Sequence, residues 1–227
     1  IPCLAGQPPD PPMTPMLNMG RLQGNLQLDG ILSEPAWDRA EAIVDLTMVE
    51  PQEGVPPTEP TRIVILADSK NLFLGIRCYD STPQEIVSYT KTRDADLNRE
   101  DYIRIVLDTF RDGRTGYLFA INPLGARYDA LVPKPGEPEN SNWDGVWEAA
   151  THRDTEGWSA EIRIPIRTIS FNENLEAWGF NIERRVERLQ EVSRWAGARR
   201  DFVLSQTARA GLLTDLPSFD LGWGTSI

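Results

Sequence analysis

Asp101-Tyr102-Ile103-Arg104-Ile105-Val106-Leu107-Asp108 and Tyr117-Leu118-Phe119-Ala120-Ile121-Asn122-Pro123, joined by the polar stretch from Thr109 to Gly116, decide the fold. Each run alternates with a period of two, and the Asp112-Gly113 pair between them is a strong local signal for an antiparallel hairpin. Working outward, further strand patterns cover Arg62 to Ala67, Leu72 to Tyr79, Arg127 to Val132, Val146 to His152, Trp158 to Pro165 and Trp178 to Arg188. They are short and punctuated by Gly, Pro, Asn and Asp, and no long segment of period 3.6 competes with them. Two packed sheets follow: an all-β, antiparallel β-sandwich of jelly-roll or immunoglobulin-like type with one or two short helices. One such helix starts at Ser33-Glu34-Pro35-Ala36-Trp37, with Ser33 read as the N-cap and Pro35 tolerated in the first turn.

Alternation also assigns faces. Trp158, Ala160, Ile162 and Ile164 share one face and Ser159, Glu161 and Arg163 the other; Trp178, Phe180 and Ile182 alternate with Gly179, Asn181 and Glu183. These tryptophans belong to the core, and Trp37 is expected to plug an end of the sandwich. Cys78 shares a face with Leu72, Leu74 and Ile76 and reads as a small buried apolar residue. Because packing accounts for most of the hairpin, function is expected elsewhere: in the acidic approach before Asp101, in the loop around Trp143, or on the termini.

The 227 residues carry a net charge of −11, which argues against nucleic acid or an anionic membrane as partner. No apolar run approaches the roughly 20 residues needed to cross a bilayer as a helix. The first 24 residues are Pro-rich, with Pro8, Pro9, Pro11, Pro12 and Pro15, and read as an extended arm. Residues 25–210 form the sandwich and 211–227 an extended tail containing Phe219 and Trp223. Cys3 is open to three readings: lipidated if the true start differs, paired with Cys78, or free.

Enzymatic motifs are missing. His152 is the single histidine, and there is no P-loop, no G-x-G-x-x-G and no C-x-x-C. Glu148 and Glu161 could serve as a carboxylate pair but read better as exposed partners of Arg163 and other surface cations. The arginines at 184, 185, 188, 194, 199 and 200 do not share one face and are expected to pair with the chain's own acids.

A succession of motifs carries a family resemblance over roughly residues 25–205. Leu28-Asp29-Gly30-Ile31-Leu32-Ser33-Glu34-Pro35-Ala36-Trp37 is followed by Asn71 to Ile76, the hairpin, Asn142 to Ala149, Gly157 to Pro165 and Trp178 to Arg185. This order resembles the family 9 carbohydrate-binding modules, and in particular the family-9-like periplasmic domain that precedes outer-membrane barrels in bacterial surface proteins. The resemblance implies a sandwich, an exported chain of the periplasm or cell surface, often a bound calcium ion, and recognition of a sugar.

Such modules stack sugar faces on exposed aromatic rings and bond hydroxyls to polar side chains. Here the residues able to do so are Trp143 and Trp147 with Asn142 and Asp144, and Trp195 with Arg185. The plainer alternative makes Trp147 core and Trp143 a loop plug. Calcium, if held, would be held by Asp94, Asp96, Glu100 and Asp101, alternate carboxylates on a curling backbone, with Asn98 among them; a solvated acidic surface explains the same run. The expected function is a non-catalytic module binding a glycan or a protein partner. Its alternative is a periplasmic accessory or scaffolding subunit that docks on a membrane-associated protein complex through its termini and sheet faces.

Overall fold

The computed structural model describes residues 14–134 and 136–220. Cys3, Pro8 to Pro12 and Trp223 lie outside them. In chain order the strands are β1 (Met16–Asn18), β2 (Gly20–Arg21), β3 (Ala42–Ile43), β4 (Thr47–Glu50), β5 (Thr61–Ala67), β6 (Asn71–Tyr79) and β7 (Tyr102–Asp108). They continue as β8 (Gly116–Ile121), β9 (Arg127–Val132), β10 (Glu148–Asp154), β11 (Gly157–Pro165), β12 (Ala177–Val186), β13 (Glu191–Arg194) and β14 (Gly211–Thr214). The first sheet runs β1-β14-β12-β7-β8-β9, with β13 against β12 and β4 against β13. The second runs β10-β11-β6-β5-β2, with β3 also against β5. Every pairing is antiparallel except β1 with β14 and β2 with β5.

The two sheets enclose the main core. Ile103, Ile105, Phe119, Trp178, Phe180 and Ile182 of the first sheet meet Leu74, Ile76, Cys78, Trp158 and Ile162 of the second. Each outer face is covered as well. Leu97 and Leu204, from two connecting loops, pack on Tyr102, Val106, Leu118, Ala130 and Val132 outside β7, β8 and β9. The second sheet is covered by the helix α1 (Pro35–Arg39), whose Trp37 packs with Val64, Leu66 and Phe73.

Trp37 is therefore an outer-face residue and does not plug an end of the sandwich. Gly75 on β6 makes the space for it: a Cβ there would lie 2.7 Å from the indole ring. The helix N-cap is Glu34, one residue later than expected, with no side-chain cap bond. Glu161 is fully buried, in contrast to the exposed position expected of it. Its carboxylate accepts from Asp29 N and Gly30 N at 2.9 Å and from Trp37 Nε1 at 3.1 Å, so one side chain ties the Asp-Gly turn and the helix to β11. Burial raises its pKa.

Residues 16–18, 20–21 and 211–214, read from sequence as parts of an arm and a tail, supply β1, β2 and β14. Leu17, Met19 and Leu213 are buried among the core residues. The chain ends of the described region thus close the sandwich on themselves, with β1 crossing to β2 and so from one sheet to the other.

Candidate functional site

The aromatic residues expected to meet a sugar are spent on packing. Trp147 is 2 % exposed, packs edge-on against Phe119 with ring centroids 5.3 Å apart, and donates its Nε1 hydrogen to Asp129 Oδ1 at 3.0 Å. Trp143 is half-buried against Tyr117 and Phe119, at 5.1 and 5.9 Å between centroids. Asn142 and Asp144 are exposed beside it, and Asp144 pairs with Arg93. Trp195 packs on Phe180 in the core. Arg185, pointing elsewhere, binds Glu187 and Gln190. The six do not come together as one site: Trp147 and Trp195 are core, Trp143 is a half-buried loop plug with Asn142 and Asp144 beside it, and Arg185 is engaged apart from them. The organising group of that loop is Asp129, buried on β9, which also accepts from Gly145 N at 2.6 Å and from Arg93.

The four carboxylates considered for calcium do not converge either. Glu100 is buried and accepts from Ser88 Oγ, Tyr89 N and Asn122 Nδ2. Asp101 is buried apart from it, accepting from Glu187 N at 3.0 Å. Among the described residues no group of three or more His, Cys, Asp or Glu could hold a metal ion. These residues do not fit the ion.

Asp94 and Asp96 belong to something else. They stand with Asn98 on the loop that folds back over the outer face of the first sheet, and line a cavity of about 340 Å³. Its floor is a cross-strand row: the register sets Arg104 on β7 opposite Ala120 on β8, and Ala120 opposite Tyr128 on β9. The small Ala120 between two long side chains leaves a hollow, and Glu139 adds a fourth polar wall. The loop is fastened by Asp94 N donating to Arg127 O at 2.8 Å and Asn98 N to Asp96 Oδ1 at 2.9 Å.

Arg104 is held from behind and presented forward. Its guanidinium stacks on the Tyr102 ring, 4.7 Å from the centroid, and Nη2 donates to Asn98 Oδ1 at 3.0 Å. Tyr102 in turn donates to Glu183 Oε1, and Glu183 Oε2 accepts from Arg194. This buried chain extends the polar row across β12 and β13 and fixes the floor. The Tyr128 phenol has its pKa raised, first by burial and then by the carboxylate of Glu139. A half-buried ring, a guanidinium, an amide and carboxylates around a small hollow are the equipment of a polar small-ligand site.

Arg104, Ala120 and Tyr128 carry no signal of a site in the sequence, because the alternation that identifies their strands marks the opposite, core face. A larger cleft of about 680 Å³ lies between residues 171–177 and 214–219. Its two rings, Phe171 and Phe219, already pack on Trp178 at 5.4 and 5.5 Å, which leaves little aromatic face for a ligand.

No family profile and no curated protein matches the chain. Among solved structures, a carbohydrate binding module of family 9 from Caldicellulosiruptor kristjanssonii superposes with a TM-score of 0.62, covering 88 % of this chain and 95 % of its own in the glucose complex. The fold is that of a family 9 carbohydrate-binding module. The same module in complex with cellotriose gives a TM-score of 0.62 over 93 % of its length, and each form is 12 % identical to this chain. A Bacteroides uniformis protein whose carbohydrate binding is inferred gives 0.70, at 12 % identity, over 89 % of this chain and 99 % of its own. The family 9 likeness expected from the motif succession is thus present in three dimensions.

Proposed function

We propose that this chain is a non-catalytic module that binds carbohydrate in the hollow floored by Arg104, Ala120 and Tyr128. The observation that carries this reading is that row itself: an aromatic ring for an apolar sugar face beside donors and acceptors for hydroxyl groups, on the rigid outer face of a sheet. The family 9 modules of the same fold, solved with glucose and cellotriose, support the ligand class. The non-catalytic reading is supported by the engagement of the two carboxylates considered for catalysis, Glu148 with Arg163 and Glu161 with the Asp29-Gly30 turn. The docking alternative loses ground because the described ends of the chain supply β1, β2 and β14 and are spent on the sandwich.

Titration with glucose and cello-oligosaccharides, followed by NMR chemical shifts, tests the site. Arg104→Ala is expected to weaken binding about tenfold or more and Tyr128→Leu about threefold to tenfold, since a charged hydrogen bond is worth about 1.5–3 kcal/mol and aromatic stacking about 0.5–1.5 kcal/mol. Trp143→Ala should leave the affinity alone while lowering thermal stability. Binding abolished by Trp143→Ala and untouched by Arg104→Ala would move the site to the Trp143 loop.

A further inference from the structure

The hollow has a charge pattern that a neutral hexose does not use. Three carboxylates, Asp94, Asp96 and Glu139, line it against one guanidinium, Arg104, and among the described residues no lysine or second arginine lines it. Arg104 is partly occupied, its Nη2 bonded to Asn98 and its plane stacked on Tyr102. Arg93 Nε pairs with Asp94 at 3.5 Å, while its Nη2 is engaged by Asp129, Asp144 and the carbonyl of Gly145. Asp94 thus shares this one cation with two other acids, and Asp96 and Glu139 have no cation paired with them among the described residues. The Asp96 carboxylate accepts from the backbone N–H of Asn98, a neutral donor that leaves its charge in place. The molecule as a whole carries −11, which adds a long-range field of the same sign.

We propose that this hollow selects a sugar bearing a positive charge, a hexosamine with a free protonated amine, over neutral hexoses, and excludes uronic acids. The proposal rests on the sugar-site reading above and sharpens it. An ammonium group on a pyranose ring that lies against Tyr128 comes within reach of the Asp94–Asp96 loop or of Glu139. The ring hydroxyls then face Arg104 and Asn98. A carboxylate on the same ring would meet Asp96, Glu139 and the partly compensated Asp94 with only the shared Arg104 to receive it, so repulsion costs more than the single pairing returns. At an effective dielectric near 20 and partial exposure, one opposite charge a few ångströms away corresponds to roughly a tenfold gain in affinity.

The test is parallel titration of the whole chain with glucosamine, glucose and glucuronate at about pH 6, where the amine is protonated and the uronate ionised. The expected order is glucosamine roughly tenfold tighter than glucose, with glucuronate weakest. The preference for glucosamine should shrink as salt is raised. In the triple variant Asp94→Asn, Asp96→Asn and Glu139→Gln, the ratio of glucosamine to glucose affinity should fall to about one; Asn keeps an acceptor for Asn98 N at position 96 and tolerates the left-handed backbone at position 94, where φ is 59°. Glu156→Gln, which removes one carboxylate charge from the exposed Arg77 pair away from the hollow, should leave the ratio as it was. Equal affinity for glucosamine and glucose, or glucuronate binding as tightly as either, overturns the proposal while the sugar site stands. No binding of any of the three overturns both.

Discussion

At the scale of single residues, the folding information is concentrated in a few groups that satisfy several neighbours at once. Glu161 receives two backbone N–H groups and an indole N–H, and Gly30, at φ +86°, is needed beside it because a Cβ would lie 2.5 Å from the Thr151 backbone. The Asp-Gly turn therefore serves as the latch between the entry segment and β11 as well as a change of direction. Removing the carboxylate strands two buried donors, Gly30 N and Trp37 Nε1, each costing about 1–3 kcal/mol, while Asp29 N keeps the carbonyl of Gln27 at 3.1 Å. Glu161→Ala should accordingly cost about 3 kcal/mol and lower the melting temperature by roughly 6–12 °C. Sugar affinity should be unaffected, because the latch is on the opposite sheet from the hollow. Unfolding monitored by circular dichroism checks it, and a loss below about 0.5 kcal/mol would mean that the turn closes without Glu161.

Among the elements, the opening hairpin shows what sequence can and cannot say. The β7–β8 pairing and its Asp112-Gly113 turn follow the sequence because apolar alternation is long enough to be seen. Asp108 locks the turn by accepting from Gly113 N at 2.8 Å. β13, by contrast, is four residues of mixed polarity, Glu191 to Arg194, buried because its ionic groups find partners such as Glu183 on β12. Such a strand has no apolar period to read; its existence is decided by tertiary pairing. The hollow was half-legible in the same way: Arg104 and Tyr128 could be placed on outer faces, but setting them beside Ala120 needed the register, and Asp94 and Asp96 needed the fold-back of their loop. The entry to β7 also makes a pH prediction. Asp101 is buried, with one oxygen lacking a partner among the described residues, and its pKa is pushed up to about 6 by that burial, against the hydrogen bonds from Glu187 and Val87 and the charge of Arg184. A carboxyl whose folded pKa is raised contributes most stability while protonated and loses it as pH rises from about 4 to about 6. Asp101→Asn keeps an acceptor for Glu187 N and cannot ionise. It should match the wild type near pH 4 and exceed it by about 2 kcal/mol above pH 7. Parallel denaturation curves for the two proteins across that range would refute the assignment.

For the whole molecule, the question is whether the ends of the described chain belong to the domain or hang from it. β1 pairs in parallel with β14 from Met16 opposite Leu212 to Asn18 opposite Thr214, and β14 pairs with β12, so the two ends meet on one edge of the first sheet. Leu17 and Met19 are 1 % and 4 % exposed, and each fully buried side chain of that size contributes about 2 kcal/mol. The Thr214 hydroxyl also donates to Asn18 Oδ1 at 2.7 Å across the seam. A chain beginning at residue 25 should therefore lose about 4 kcal/mol and melt roughly 10 °C lower. The hollow sits on β7, β8 and β9, separated from β1 by β14 and β12, so the shortened chain should still bind sugar below its melting temperature. An unchanged melting temperature would show that the segment is the free arm its prolines suggested, available to a partner. A chain that melts early yet binds sugar normally would assign the ends to stability and the outer sheet face to recognition.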